Sequence, residues 1–293
     1  MRFLIYRQER PFQRMGVELS RQDMANWTMA VARRIQPLVQ LLRREIHGGP
    51  VVDYQYHPSR SGDVPLKALH EYRGFVQSDG YEGYAELGRQ PGITHVGCWA
   101  HARRKFFEAK VVSKQAGSAD EALAYIDKVF ALERELRAQE LAPQEFLQRR
   151  REHVEPLFQR LRSWLENRQP QVPPSPLLGK AIGYALAQWP KPVRYLDSPW
   201  LKPDNNACEQ AIRPFVIGRN NWVMSGSPAG ATASAAWYSL IETSKINGVE
   251  PYLYLRCILS RLPDGEEPDT YTPLLPWKIE KTMLLDFDAG TLF

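Results

Sequence analysis

The stretch WLKPDNNACEQAIRPFVIGRNNW, Trp200 to Trp222, decides how the rest of the chain is read. Two asparagines and two carboxylates, Asp204 and Glu209, open what reads as a short helix, with Arg213 and Arg219 behind them. Asn206 is a suitable N-cap, and Glu209 three positions on can turn back to the Asn206 amide, which would make a capping box. Glu209 can equally be one carboxylate of a metal site whose other members lie far back in the chain. The stretch alone leaves both readings open, and the rest of the sequence has to be brought to bear.

Upstream, Ser20 to Glu45 carries Trp27, Val31, Ile35, Leu38 and Leu42 at steps of three and four, the spacing of a helix. Ser20 is its N-cap, with Asp23 at the capping-box position, and Pro37 divides the run. Three strand-like segments follow: VVDYQY (51–56), GFVQSDGY (74–81) and ITHVGCW (93–99). HARRKFF (101–107) reads as a helix start, residues 118–168 as a solvated helical hairpin, and LLGKAIGYALAQW (177–189) as a further helix. VIGRNNWVMSGS (216–227) resembles a strand and turn. Residues 231–248 and 251–262 are helices, Gly248 closes the first of them, and 263–273 reads as a mobile acidic link. Strands, an inserted helical block and then a carboxylate-bearing helix are the order of an interrupted α/β core.

Asp79, at the end of the second of these strands, is the other carboxylate that could do chemistry, against the plain alternative of an Asp-Gly turn. It lies 130 positions before Glu209, so only the fold can bring the two together. Hard cations such as Mg²⁺ take oxygen ligands, and phosphoryl transfer on nucleic acid commonly uses metals held by shared carboxylates. Cys98-x-x-His101 is half of a zinc-ligand spacing with no second pair, so a buried cysteine beside a hydrogen-bonded histidine is the better reading. Arg103, Arg104 and Lys105, with Phe106 and Phe107, could turn a cationic face to phosphates. No Gly-rich phosphate loop or nucleophile elbow is present.

Three long motifs in the same order carry a resemblance. GFVQSDGYEGY, THVGCWAHARRKFFEA and DNNACEQAIRPFVIGRNNWVMSGSPAGATASAAWYSLIETSKINGVEPYLYLRCIL closely resemble the transposases of the bacterial insertion-sequence-66 family, densely from about Val51 to Leu262. The resemblance implies a ribonuclease H-like core of the DDE type, in which Asp, Asp and Glu hold two Mg²⁺ (or Mn²⁺) ions for DNA cleavage and strand transfer. Asp79 matches the second aspartate and Glu209 the glutamate. Cys98 and His101 match a Cys-x-x-His element with a structural or DNA-end role, and Arg103, Arg104, Lys105, Arg213 and Arg219 are the expected DNA contacts.

The same comparison exposes what is missing. The family's first aspartate stands in an Asp-Glu-Thr context on a leading strand, and no Asp-Glu-Thr occurs anywhere in this chain. That piece reads as deleted between about Ile46 and Gly49, and an N-terminal DNA-binding region is expected to be truncated. Asp53 and Asp63 are the acids that could substitute, and neither matches the motif.

The expected fold is therefore α/β, an incomplete ribonuclease H-like core with a helical insertion and N-terminal helices. Its expected segments are leading helices (1–46), the first part of the core (51–103), the insertion (104–200), the final core segment with the Glu209 helix (201–262) and an acidic tail (263–293). Three readings stay open: a catalytically impaired transposase, an active one with Asp53 or Asp63 substituting, and a non-catalytic DNA-binding remnant that competes with intact transposase. The implied partners are DNA (terminal inverted repeats and target), further copies of the chain on that DNA, and accessory proteins of the same element.

Composition agrees with these expectations. The net charge is +5, with nine arginines against four acids in residues 1–46 and seven acids against two lysines in 264–293. A basic body suits a polyanion partner. Three scattered cysteines make no disulfide framework, and no apolar run reaches the length of a membrane span. A cytoplasmic, nucleoid-associated protein is the expectation.

Overall fold

The structure, a computed structural model, describes residues 9–45, 49–113, 117–222, 227–265 and 267–285, with the backbone alone at 219–222, 281 and 285. The helices and strands in chain order are α1 (Arg21–Arg34), α2 (Gln36–Arg44), α3 (Asp63–Ala68), β1 (Gly74–Gln77), β2 (Ile93–Val96), α4 (Trp99–Ser113), α5 (Ser118–Arg137), α6 (Pro143–Arg168), α7 (Leu177–Gln188), α8 (Asn206–Trp222), α9 (Pro228–Ile246), α10 (Pro251–Ser260) and α11 (Lys281–Leu285). They fall into two compact units, one of residues 1–58 with 210–293 and the other of residues 59–209.

In the first unit, Ser20 caps α1 as expected: its Oγ accepts from the Asp23 amide at 3.1 Å. Pro37 sits in the first turn of α2, so the helical run breaks at Ile35 rather than ending. Ile35, Leu38, Leu41 and Leu42 pack with Leu240 of α9, Tyr254 and Ile258 of α10, and Tyr271 and Leu274. Those last two residues correct the expectation of a mobile acidic link. Pro268–Leu274 is a 3-10 turn with Tyr271 and Leu274 buried, and the Tyr271 hydroxyl donates to the Gly265 carbonyl at 3.0 Å. Apolar anchoring outweighs the acidic composition there.

Two further expectations are corrected in this unit. VVDYQY is extended but pairs with no strand. Its backbone is satisfied by side chains of α9 instead: the Val52 amide donates to Thr243 Oγ1 and that hydroxyl to the Val52 carbonyl, both at 3.1 Å, and the Tyr54 amide donates to Ser239 Oγ at 2.9 Å. Tyr54 is held between Phe215 and Tyr238, at ring-centroid distances of 5.7 and 5.9 Å. Residues 216–222, expected as a strand, continue α8, while 223–226 lie outside the described residues. Gly248 does close α9: its φ of 73° is open to glycine, and the Val249 amide returns to the Ser244 carbonyl at 2.9 Å.

The second unit holds the sheet found among the described residues. β1 and β2 run parallel, with Phe75 opposite Thr94 and Val76 opposite His95. Where an α/β core was expected, the described residues of this unit hold this two-stranded sheet and are otherwise mainly helical. Trp99, at the start of α4, stacks on Phe158 of α6 at 4.8 Å and meets Trp189 edge-on at 5.3 Å, at the centre of the core. The α5–α6 pair, read as a solvated hairpin, also buries a charge. Arg150 is fully buried, and its guanidinium donates to Glu133 Oε1 at 2.8 Å and to the carbonyls of Tyr195, Ser198 and Leu201 at 2.9, 2.7 and 3.0 Å.

Candidate active site

Residues 59–209 assemble the site from three directions. β1 delivers Ser78 and Asp79. The Ser78 hydroxyl lies 2.8 Å from buried His95 Nε2 on β2, and Asp79 Oδ1 accepts from the Tyr81 amide at 3.0 Å, a local Asx turn that fixes the carboxylate. Gly80 beside it leaves room for the Tyr184 hydroxyl of α7, which a Cβ there would displace. α4 delivers Cys98 and His101 at its leading end. The returning segment is tied to that end twice: the Trp99 amide donates to the Pro203 carbonyl at 2.8 Å, and the Asn205 amide to Cys98 Sγ at 3.3 Å. From there α8 begins, and Glu209 in its first turn comes to 3.7 Å from His101 Nε2.

Asp79 lines one small cavity with Cys98, to which the start of α8 is bonded, and both carboxylates act on a common neighbour. The Cys208 thiol is pushed above its usual range by desolvation, then by Glu209 and Asp79. The Tyr84 hydroxyl is raised by burial, then by Asp79 and Cys208. Two residues 130 positions apart thus act on the same thiol. Burial raises Cys98 as well, which favours its protonated form as the acceptor of the Asn205 amide over a metal-binding thiolate.

Capping at α8 differs from the expected box. Asp204 Oδ1 accepts from the Asn206 amide at 3.0 Å, and the Glu209 amide donates to the Asn205 carbonyl at 3.2 Å, while the Glu209 carboxylate faces His101. Asp204, two residues before Asn206, supplies the cap, and the Glu209 carboxylate is left beside His101.

The substitute acids are engaged elsewhere. Asp53 receives Arg43 Nε at 3.0 Å on both of its oxygens, and Gln55 Nε2 at 2.6 Å. Asp63 sits in the first turn of α3, where Ser61 Oγ donates to it at 3.1 Å. Among the described residues no group of three or more His, Cys, Asp or Glu side chains is arranged to hold a metal ion. The donors in hand are two carboxylates and an imidazole beside one of them, which does not fit a two-ion centre.

Of the expected DNA contacts, Arg103 is matched by Asp127, with Nε 2.5 Å from Oδ1. Arg104 is exposed. Lys105 lies 4.7 Å over the Tyr184 ring. Arg213 is exposed on α8, and the Arg219 side chain is outside the described residues. Tyr84 and Cys208 belong to the site although the sequence reading left them out. Each stands beside a motif residue, in SDGYEGY and NNACE, but neither has a spacing that marks it.

His95 carries a testable consequence. Burial, followed by Lys191 and Arg194, lowers it from 6.5 to about 4, so the folded state holds it neutral. The unfolded chain takes up the proton first as pH falls. Its contribution to stability is therefore complete above 6.5 and is lost as pH drops from there through about 4. The full loss is about 3 kcal/mol. Urea unfolding near pH 7 and near pH 4 should show wild type losing about that much more stability than His95→Gln, and equal losses would contradict the assignment.

Comparison with known proteins agrees with the motifs. The family model described as "Transposase IS66 family" matches residues 3–53 and 47–233, and that of the "IS66 C-terminal element" matches 239–277. The uncharacterized protein y4hP of Sinorhizobium fredii (strain NBRC 101917 / NGR234) is 32% identical over 244 residues, covering 78% of this chain and 44% of the relative. The uncharacterized protein y4qI of the same organism is 28% identical over 323 aligned positions, covering 94% of this chain and 59% of the relative. The chain spans about half the length of the curated relatives it matches. No solved structure matches, and among the described residues no helix is long and apolar enough to cross a membrane.

Proposed function

We propose that this chain, which belongs to the IS66 transposase family, is a DNA-end-binding transposase with an incomplete catalytic centre. The observation that carries this reading is that Asp79 lines one small cavity with Cys98, to which the Asn205 amide at the start of the Glu209 helix is bonded, with no group of three or more ligands arranged for a metal among the described residues. In this reading β1, β2 and α8 are parts of a ribonuclease H-like core, and the leading strand with the first aspartate is absent. Three further observations support that absence. The family match falls into two segments that meet at 47–53. The alignment with y4qI has more positions, 323, than the chain has residues, 293, so part of the relative faces gaps. Residues 52–54 bond to helix side chains where a central strand would bond to neighbouring strands.

A divalent cation such as Mg²⁺ or Mn²⁺ would supply charge stabilisation to a reacting phosphodiester where a full ligand set held it. Asp79 and Glu209 are the residues here that would contact it, and cleavage is not expected of the pair alone. DNA recognition is separable from that loss. It rests on phosphate contacts from a basic chain of net charge +5. A second reading, in which the chain persists in the cytoplasm as a competitor for the ends used by intact transposase, is favoured by Arg104 and Arg213 standing exposed. Other copies of the chain and accessory proteins of the element are the partners this family role implies.

Mobility-shift titration with duplex DNA carrying the element's terminal repeats tests the binding. Affinity should fall steeply with salt, and Arg104→Ala should weaken it and lower the log–log salt slope by about 1, one phosphate contact. Equal affinity for terminal-repeat and unrelated DNA, or none for either, would sink the proposal.

A further inference from the structure

A second feature of residues 59–209 has no part in the carboxylate site. Between α4 and α5 lies a cleft of about 720 Å³, lined by Arg103, Arg104 and Phe107 on one side, Phe130 and Arg134 on the other, and Asn206 at one end. Arg103 is neutralised by Asp127, but among the described residues Arg104 and Arg134 have no acidic partner within ion-pair distance. Phe107 is 48% exposed. The cleft therefore offers two free cations and an open aromatic ring, with Asn206 three residues before Glu209.

Trp200 extends the same surface. It is 79% exposed, the most exposed large apolar side chain described, yet its backbone is among the most firmly held. The carbonyls on either side of it, of Pro199 and Leu201, each accept from Arg137 (3.3 and 2.8 Å) and from Arg150 (3.4 and 3.0 Å). Arg137 follows Arg134 by three residues on α5, the spacing of one helix face at a rise of about 1.5 Å per residue. Two guanidinium groups thus hold the backbone on either side of Trp200, whose indole is exposed, and the chain from it leads back to Asn206. Core packing does not account for a tryptophan this exposed.

The geometry points to this cleft as a binding site for unpaired DNA. Arg104 and Arg134 take backbone phosphates, and Trp200 stacks on a base. A cleft of about 720 Å³ can take a nucleotide or two. An aromatic face can stack only on a base that is out of the helix. The inference rests on the DNA-end reading above and deepens it: the strand beside the scissile position would be held open.

Fluorescence anisotropy with the full chain tests it, using a fluorescein-labelled oligodeoxythymidylate of about 12 nucleotides and, separately, the terminal-repeat duplex. Trp200→Ala should weaken oligothymidylate binding about tenfold or more without changing the salt slope, and Trp200→Phe should restore most of it. Arg134→Ala should weaken it and lower the slope by about 0.7. Duplex binding should change less than about twofold with Trp200→Ala, because paired bases offer it no face. Trp200 is exposed, so the variants fold, which circular dichroism checks. If wild type binds the duplex but not oligothymidylate, or if Trp200→Ala binds oligothymidylate as wild type does, the cleft proposal is overturned while the DNA-end reading stands. If wild type binds neither DNA, both fall.

Discussion

Arg150→Ala should destabilise residues 59–209 by about 3 to 5 kcal/mol, the cost of breaking a buried ion pair from one side. The side chain is fully buried. Its removal strands Glu133, 4% exposed, with Arg137 as its remaining cation. It also takes away donors from the carbonyls of Tyr195, Ser198 and Leu201. Each buried acceptor left without a partner costs further, about 1 to 3 kcal/mol where water cannot replace the donor. Arg150→Met combined with Glu133→Leu should recover much of the loss, since removing both charges leaves none uncompensated. Urea unfolding followed by circular dichroism gives the comparison, and a single-variant loss under about 1 kcal/mol would mean that the guanidinium is better hydrated than its burial implies.

The effect reaches the site because the segment Arg150 holds is the one that returns to α4. Leu201, bonded to Arg150, is followed by Pro203, bonded to Trp99, and by Asn205, bonded to Cys98. α8 starts one residue later, with Glu209 in its first turn. A charge buried between α5 and α6 thus sets where a carboxylate stands on α8.

Much of this was legible in the sequence, and the failures have physical causes. The α1 cap at Ser20, the break near Pro37 and the Gly248 closure are local effects, and local chemistry predicts them. VVDYQY has the composition of a strand, but pairing needs a neighbour, and Thr243 and Ser239 of α9 took that place from nearly 200 residues away. Residues 216–222 were misread for a related reason: β-branched Val216 and Ile217 weigh against helix only weakly, and α8 runs through them. Arg150 stands in the run QRRRE, where charge suggests a solvated face, and only the fold reveals that the middle arginine points inward. At the candidate site the motifs single out Asp79 and Glu209 as candidates. Their shared neighbours Tyr84 and Cys208, and the capping of α8 by Asp204, depend on tertiary placement.

In the proposed reading, the lack of a first aspartate has the largest consequence for activity. Asp79 and Glu209 are gathered, Asp53 is held by Arg43 and Gln55, and Asp63 is bonded to Ser61. In-line displacement at a phosphodiester with two ions needs both the attacking and the leaving oxygen stabilised. In the proposed reading two carboxylates without a third do not make that arrangement, so the expected effect on cleavage is complete loss rather than a reduced rate.

Nicking of a supercoiled plasmid carrying the element's terminal repeats, in Mg²⁺ and then in Mn²⁺, measures this directly. The prediction is that wild-type protein, folded and bound to the repeats, leaves the plasmid supercoiled, as do Asp79→Ala and Glu209→Ala. Nicking by wild type that either substitution abolishes would contradict the account, because it would require a working centre completed by a third ligand.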